Sequence, residues 1–278
     1  MDVTPDVINV IQGALQEDIG YEDITTSLLI PEGNKSKAHF IANESFVLAG
    51  VPFALEVFQL LDSSIMSKIY RHDGTRVKKG DVIAEISGKT YNILKGERVS
   101  LNILQRLSGI ATLTSIYVEK IKGSKAKIVD TRKTTPCLRF MEKYAVRVGG
   151  GYNHRFGLFD GILIKDNHIK AAGSIQKAVK AAKKGGHHLL RIEVEVKNLR
   201  ELKEAIAAGV DIIMLDNMTI PEMKEAVKIA GGKALLEASG NMKPENVREV
   251  AETGVDLISV GALTHSSSAV DISLKIVE

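Results

Sequence analysis

The sequence has no tryptophan, one cysteine and few aromatic side chains of any kind, 5% in all. With so little aromatic bulk, the core is expected to be aliphatic. A single cysteine, Cys137, excludes an internal disulfide and a cysteine-built zinc cage, and fits a reducing compartment. No apolar run approaches the ~20 residues that a membrane-spanning helix needs. The first ten residues, MDVTPDVINV, are acidic rather than basic and carry no long apolar stretch, so they do not read as a secretory signal. The expected location is the cytoplasm. Charge bias is missing too: a formal net charge of +3 over 278 residues gives no sign of nucleic-acid binding. There is no fixed-period repeat and no low-complexity tract.

What is present is an ordinary globular balance, 44% hydrophobic and 26% charged, enough for one large domain or two modest ones. The texture changes near residue 125. Before it, helix and strand signals are mixed. Residues 6–16 and 52–62 read as helices and 37–42 as a strand, while glycine turns bracket Val82 to Ile86 as in a small antiparallel β-unit. From 97 to 121 the apolar residues Val99, Ile103, Leu107, Ile110, Leu113 and Ile116 recur every three or four positions. That spacing predicts a long amphipathic helix with Arg98 in its first turn.

After residue 125, six short apolar runs alternate with helical stretches. The runs are AKIVD (126–130), GILIKD (161–166), RIEVEV (191–196), DIIMLDN (211–217), ALLEAS (234–239) and DLISVG (256–261). Strand–helix alternation of this kind implies a parallel sheet, in a closed or nearly closed barrel or else in an open doubly wound form. The runs end in polar groups: Asp130 with Arg132 and Lys133, Lys165 and Asp166, Glu193 and Glu195, Asp216 and Asn217, Glu237 and Ser239, and Gly261 before Thr264 and His265. Parallel α/β barrels build their active sites on the C-terminal rim of the strands.

Residues 131–158 carry six arginines and lysines against the single acid Glu142. Arg139, Lys143 and Arg147 recur every four residues and read as the solvated face of a helix starting near Pro136. Arg132, Lys133, His154 and Arg155 lie outside that helix and are the better ligand candidates, since arginine forks suit carboxylates and phosphates. The stretch GGGYNHRFG (149–157) spends three glycines just before the His154–Arg155 pair. A tight turn there, with at least one glycine at positive φ, is expected to aim the pair into the barrel mouth. Glu195 and Asp216 end neighbouring strands and suit Mg²⁺ or ribose hydroxyls, or serve as salt-bridge partners of Lys165 and Arg132. LEASGNM (236–242) and VGALTHS (260–266) put small residues where strand meets helix, as a phosphate cradle requires.

Other motifs fail. GKT (88–90) lacks the first glycine of a P-loop, and the glycines at 149 and 151 lack the third glycine of a dinucleotide fingerprint. Cys137 has no activating partner. His187 and His188 follow Gly185 and Gly186 in a connecting loop and read as surface residues, while His168 reads as orienting its own loop.

The segment DTRKTTPCLRFMEKYAVRVGGGYNHRFGLFDGILIKDNHI (130–169) resembles the central signature of the quinolinate phosphoribosyltransferase family. GERVSLNILQRLSGIAT (96–112), VEVKNLRE (194–201), IIMLDN (212–217), LEASG and GALTHS extend the likeness over most of the chain. Two positions depart from the pattern: Cys137 stands where the family usually has glycine, and Asn241 replaces a second glycine after Ser-Gly.

The resemblance implies an α/β fold with an N-terminal α/β sandwich domain over residues 1–110 and an incomplete parallel α/β barrel over 111–267. The tail 268–278 is expected to return to the first domain. It implies a homodimer with shared active sites, Mg²⁺ as cofactor, and transfer of ribose 5-phosphate from phosphoribosyl pyrophosphate (PRPP) to quinolinate with loss of CO₂. Carried over, Arg132, His154, Arg155 and Lys165 face the quinolinate carboxylates, with Arg98 supplied by the other subunit. Lys133, Glu195 and Asp216 face PRPP and its metal, with Ser239, Gly240, Gly261 and His265 near phosphate. The rival readings are another pyridine or nucleobase acceptor on the same scaffold, a Schiff-base aldolase using Lys165, and a carrier hairpin modified at Lys89.

Overall fold

The computed structural model describes residues 3–277. In chain order its elements are α1 (Pro5–Ile19), α2 (Ile24–Leu29), β1 (Lys35–Ala42), β2 (Phe46–Val47), α3 (Val51–Leu61), β3 (Met66–Ile69), β4 (Arg76–Val77), β5 (Val82–Lys89), α4 (Thr90–Lys120), β6 (Lys127–Val129) and α5 (Arg139–Val148). There follow β7 (Ile162–Ile164), α6 (Asp166–Ala172), α7 (Ile175–Gly185), β8 (Ile192–Val196), α8 (Leu199–Ala208), β9 (Ile212–Asp216), α9 (Ile220–Ala230), β10 (Leu235–Ser239), α10 (Val247–Ala251), β11 (Leu257–Ser259), α11 (Ala262–His265) and β12 (Ile272–Ile276). All six apolar runs after residue 125 are strands. The chain divides into two compact units, one of residues 1–115, 134–150 and 266–278, the other of 116–133 and 151–265.

The first unit holds an antiparallel sheet in the order β12-β1-β5-β3 and a two-stranded sheet β2-β4. The expectation of an aliphatic core fails here. Phe40, Phe46, Phe53 and Phe58 are all fully buried, and Phe40 meets Phe58 edge-on at 6.1 Å between ring centres. Four of the seven phenylalanines are thus buried in this unit. Asp73 organises the start of α3: its carboxylate accepts from the N–H groups of Gly50 (2.8 Å) and Val51 (3.1 Å) and from the Tyr144 hydroxyl (2.6 Å).

Helix α4 begins at Thr90, not at 97, so Arg98 stands two turns inside it rather than in its first turn. Gly96 lies inside the helix, at a point where a side chain would strike the Phe58 ring at 2.6 Å. The solvated face expected of α5 is also corrected. Only Arg147 is exposed; Arg139 is half-buried, and Lys143 and Glu142 are buried. Glu142 draws the helix inward, accepting from Arg106 (2.9 Å to Nη2) and from both the amide (3.0 Å) and hydroxyl (2.8 Å) of Thr135.

The second unit carries a six-stranded parallel sheet in the order β6-β11-β10-β9-β8-β7. Its helices are capped by local chemistry. Ser174 caps α7, Asn198 caps α8 through two amides, and Thr219 with Glu222 forms a capping box on α9. The edge strands β6 and β7 do not pair with each other; instead Tyr152 bridges to Val129 alongside β6. One cavity of about 540 Å³ is lined by residues of all six strands, among them Lys127, Ile162, Glu193, Ile212, Leu235 and Leu257, so the sheet curls around it. Among the described residues no helix is long and apolar enough to cross a membrane.

Candidate active site

Strand register settles which residues share a face. Glu195 lies opposite Met214, Met214 opposite Glu237, and Ser239 opposite Asp216. Residues two apart point the same way, so Glu193, Glu195, Met214, Asp216, Glu237 and Ser239 occupy one face of the sheet. Val194, Val196, Ile213, Leu215, Leu236 and Ala238, all buried, take the other, where helices α8 and α9 pack. The acids therefore line the face that the helices do not cover.

At the C-terminal ends, close packing joins separate loops. Asn217 follows Asp216 in a left-handed conformation (φ 53°), donates its amide N–H to the Ser239 carbonyl and turns its side-chain NH₂ to Asp216 (2.9 Å). A side chain on Gly240 (φ 103°) would meet the Asn217 oxygen at 2.2 Å, so only glycine fits. Asp216, Ser239 and Gly240 thus form one corner. A second corner joins Lys133, Gly261 and His265. A Cβ on Gly261 would lie 3.0 Å from the Lys133 side chain and 3.2 Å from the His265 ring, and the Thr264 hydroxyl donates to the Lys133 carbonyl (2.8 Å).

Glu195 is half-buried between these strands and Lys165. Burial and the charge of Asp216 raise its carboxyl above the ordinary range, against the pull of Lys165. Two carboxylates that repel across adjacent strands suit a divalent cation, and hard oxygen ligands suit Mg²⁺. Lys165 is itself exposed, and its backbone N–H is taken by His168 Nδ1 (3.0 Å), which confirms that His168 orients its own loop. His187 and His188 are exposed.

The remaining group lies deeper. Gly150 has φ 89°, and a side chain on Gly149 would strike the Ala111 carbonyl of α4 at 2.4 Å, so the glycine run combines a left-handed turn with a close backbone contact. Beyond it, Asp130 accepts from the Asn153 side chain (2.6 Å) and the His154 amide (2.9 Å). His154 Nδ1 accepts the Arg155 N–H (2.8 Å), and Nε2 lies 3.0 Å from Glu193 and 3.8 Å from Glu237. Arg155 is half-buried, with one nitrogen on the Gly161 carbonyl (2.9 Å). Burial, then the like charge of Arg132, draws its affinity for its proton down. His154, Arg155, Glu193 and Glu237 line the 540 Å³ cavity, whose Ile162, Ile212, Leu235 and Leu257 are the first residues of their strands. The structure therefore divides the candidates of this unit between the strand C-termini and the interior. Arg98 belongs to the other unit, where it is exposed on α4.

Residues 23–108 match the family model described as quinolinate phosphoribosyl transferase, N-terminal domain, and residues 110–275 match the C-terminal domain of the same name. The chain belongs to the quinolinate phosphoribosyltransferase family. A Bacillus subtilis protein named probable nicotinate-nucleotide pyrophosphorylase [carboxylating] is 47% identical over 94% of this chain and 90% of its own length. A chloroplastic nicotinate-nucleotide pyrophosphorylase [carboxylating] of Arabidopsis thaliana is 44% identical over 98% of this chain and 83% of its own. The crystal structure of NadC from Streptococcus pyogenes superposes with a TM-score of 0.95 at 43% identity, covering all of both chains.

Both departures from the family pattern fall at strained backbone. Cys137 has φ 65° and Asn241 φ 50°, positions where glycine is the unstrained choice. Sequence reading named Glu193 and Glu237 only as strand-end charges and did not connect them with His154. The signal available was the IEVEV repeat, which places two acids on one strand face.

Proposed function

We propose that this chain transfers the 5-phosphoribosyl group from PRPP to the ring nitrogen of quinolinate and releases pyrophosphate and CO₂, leaving nicotinate mononucleotide. The observation that carries the reading is the Arg132–Arg155 neighbourhood, two like charges kept close with Arg155 half out of water. Such a pair is relieved by an anionic ligand, and a pyridine dicarboxylate offers a carboxylate to each guanidinium.

In this reading Arg132, Arg155 and Lys165 hold the acceptor so that its nitrogen lone pair forms the bond to the ribose C1 carbon, while His154, expected on a quinolinate carboxylate, has its two ring nitrogens on the Arg155 N–H and Glu193 and supports Arg155 instead. The C1–oxygen bond breaks with its electron pair on pyrophosphate. Lys133 stands near that departing charge, and the two corners, one with Ser239 and Gly240 and the other with Gly261 and His265, take phosphate. Glu195 and Asp216 stabilise the positive charge that develops on the sugar. Glu195 and Asp216 would hold Mg²⁺, which would supply charge neutralisation for the pyrophosphate. Once the nitrogen is alkylated, the pyridinium accepts the electron pair left when the adjacent carboxylate departs as CO₂, and a proton from solvent completes the ring. The enzyme thus serves NAD biosynthesis, and we propose that it works in the cytoplasm.

The test is pyridine-nucleotide formation from quinolinate and PRPP with Mg²⁺, assayed beside nicotinate as acceptor. Product from quinolinate alone supports the reading, and product from another acceptor alone overturns it.

We further infer a homodimer in which Arg98 completes the partner's site. Arg98→Ala and Lys165→Ala chains, each inactive alone, then recover activity when their subunits exchange. Demonstrated exchange without recovery places Arg98 in its own subunit's site.

A further inference from the structure

Glu237 is the most awkward side chain in the second unit. It is 1% exposed, and neither of its carboxylate oxygens has a hydrogen-bond partner. Ser259, one strand away, donates instead to the Ala238 carbonyl at 3.4 Å. The nearest ring nitrogen, His154 Nε2, lies 3.8 Å away and is closer to Glu193, at 3.0 Å. His154 Nδ1 accepts the Arg155 N–H and so carries no proton. The single proton of a neutral ring is then on Nε2, directed at Glu193. Among the described residues the Ser259 hydroxyl is the one other donor near Glu237, and its pull is outweighed by burial and by the charge of Glu193. A buried carboxylate without donors costs several kcal/mol, whereas a protonated acid needs none and is itself a donor.

We propose that Glu237 is a neutral carboxylic acid and a positioning residue: its neutrality leaves Glu193 as the one charged carboxylate facing His154, so the ring keeps a single proton, on Nε2, and its bare Nδ1 holds the Arg155 backbone beside Arg132. Burial and the charge of Glu193 both push the Glu237 carboxyl well above the ordinary carboxylate range, in agreement with the geometry. The interior thereby carries one negative charge fewer than its residue types suggest, and the arginines keep more of their charge for an anionic ligand. This role rests on the acceptor reading of Arg132 and Arg155 given above.

The same three residues could in principle ligate a metal, since their donor atoms lie within 4.8 Å of one another. The His154 ring argues against it. A metal on Nε2 requires the ring proton on Nδ1, where the Arg155 N–H already points.

Two measurements on the purified enzyme test the assignment. In the first, steady-state kinetics compare Glu237→Ala and Glu237→Gln. The alanine variant should raise the quinolinate KM tenfold or more with the PRPP KM within twofold, and glutamine, which mimics the acid in shape and donor capacity, should restore it to within about twofold of wild type. Glutamine failing as badly as alanine, or a loss spread equally over both substrates, overturns the role. In the second, long-range proton–nitrogen spectra of ¹⁵N-histidine-labelled wild-type enzyme at pH 7 should show His154 with a bare Nδ1 and a protonated Nε2. A doubly protonated ring, or stoichiometric metal in the purified protein with Nε2 as ligand, overturns the assignment. This spectrum needs no substrate. If wild type makes no nucleotide from quinolinate and PRPP, the acceptor reading fails while the proton assignment is still decided.

Discussion

Two buried glutamates, one in each unit, have opposite surroundings. Glu142 in the first unit is fully buried and accepts four hydrogen bonds, two from Arg106 and two from Thr135. Glu237 in the second is as deeply buried and accepts none. A satisfied buried charge knits elements together: Glu142 ties α4 to α5 and to the segment before it. An unsatisfied one is tolerated where its protonation or orientation serves something else. The contrast extends to a second acid in each unit. Asp73 in the first unit collects three donors, whereas Glu195 in the second is set against Asp216. Charge in the first unit supports the fold. In the second it is held ready for a ligand.

The comparison breaks most clearly at Glu142. Replacing it with alanine leaves Arg106 without its buried partner, and the loss should be about 3–5 kcal/mol of stability, read as a large fall in melting temperature. A fall of a degree or two would mean that the hydrogen bonds around Glu142 are ornamental. Glu195→Gln and Asp216→Asn should do the reverse. Turnover should drop by ~10² or more, as when a transition-state charge interaction is lost, with little change in melting temperature. Near-normal turnover in both amides would return them to the class of salt-bridge partners.

A smaller effect concerns pH. Glu237 faces Glu193, His154 and Asp130, and its carboxyl is raised relative to the unfolded chain. Its neutral form is therefore favoured in the folded state, and that stability is complete below the unfolded pKa and lost as pH rises through the folded one. Wild type should lose up to ~1.4 kcal/mol for each pH unit crossed in that window relative to Glu237→Gln. Parallel melting-temperature curves for the two proteins between pH 5 and 9 would contradict this. The smallest effect sharpens the first unit alone. Cys137→Gly removes left-handed strain of roughly 1 kcal/mol but restores the entropy of glycine, so melting temperature should rise by about 1 °C. A clear fall would show that the thiol packs usefully.

Much of the second unit was legible because its strands are continuous apolar runs bounded by glycine and capping residues, a pattern that only a covered parallel sheet requires. The polar strand ends then pointed to Asp216, Ser239 and Lys165 without any knowledge of their contacts. The first unit was less transparent. The helix read as starting at 97 because the apolar spacing becomes regular there, whereas its first two turns, and the close approach of Gly96 to Phe58, are set by tertiary packing. Lys143 read as solvated because fourfold spacing marks a helix face without telling which way it looks. Pairings across long separations, such as His154 with Glu193 and Glu237, leave no local trace. The departures at Cys137 and Asn241 were visible as missing glycines, and only the backbone angles explain why glycine belongs there.

Strand β12 completes the first sheet by pairing with β1, and the nearby Asn43–Asp271 contact spans 228 positions. On the ribosome, at ~5–20 residues per second, β1 waits roughly ten to forty-five seconds for that partner. Until then it is an open edge, the sort of surface on which another nascent chain can pair. Lys35 and Lys37 on β1 place charge along it, a common guard against such pairing. The order of synthesis thus makes the earliest strand of the chain among the last to be covered, and truncation before Ile272 should yield aggregates in which the second unit's sheet has all its strands while the first unit's sheet lacks its edge.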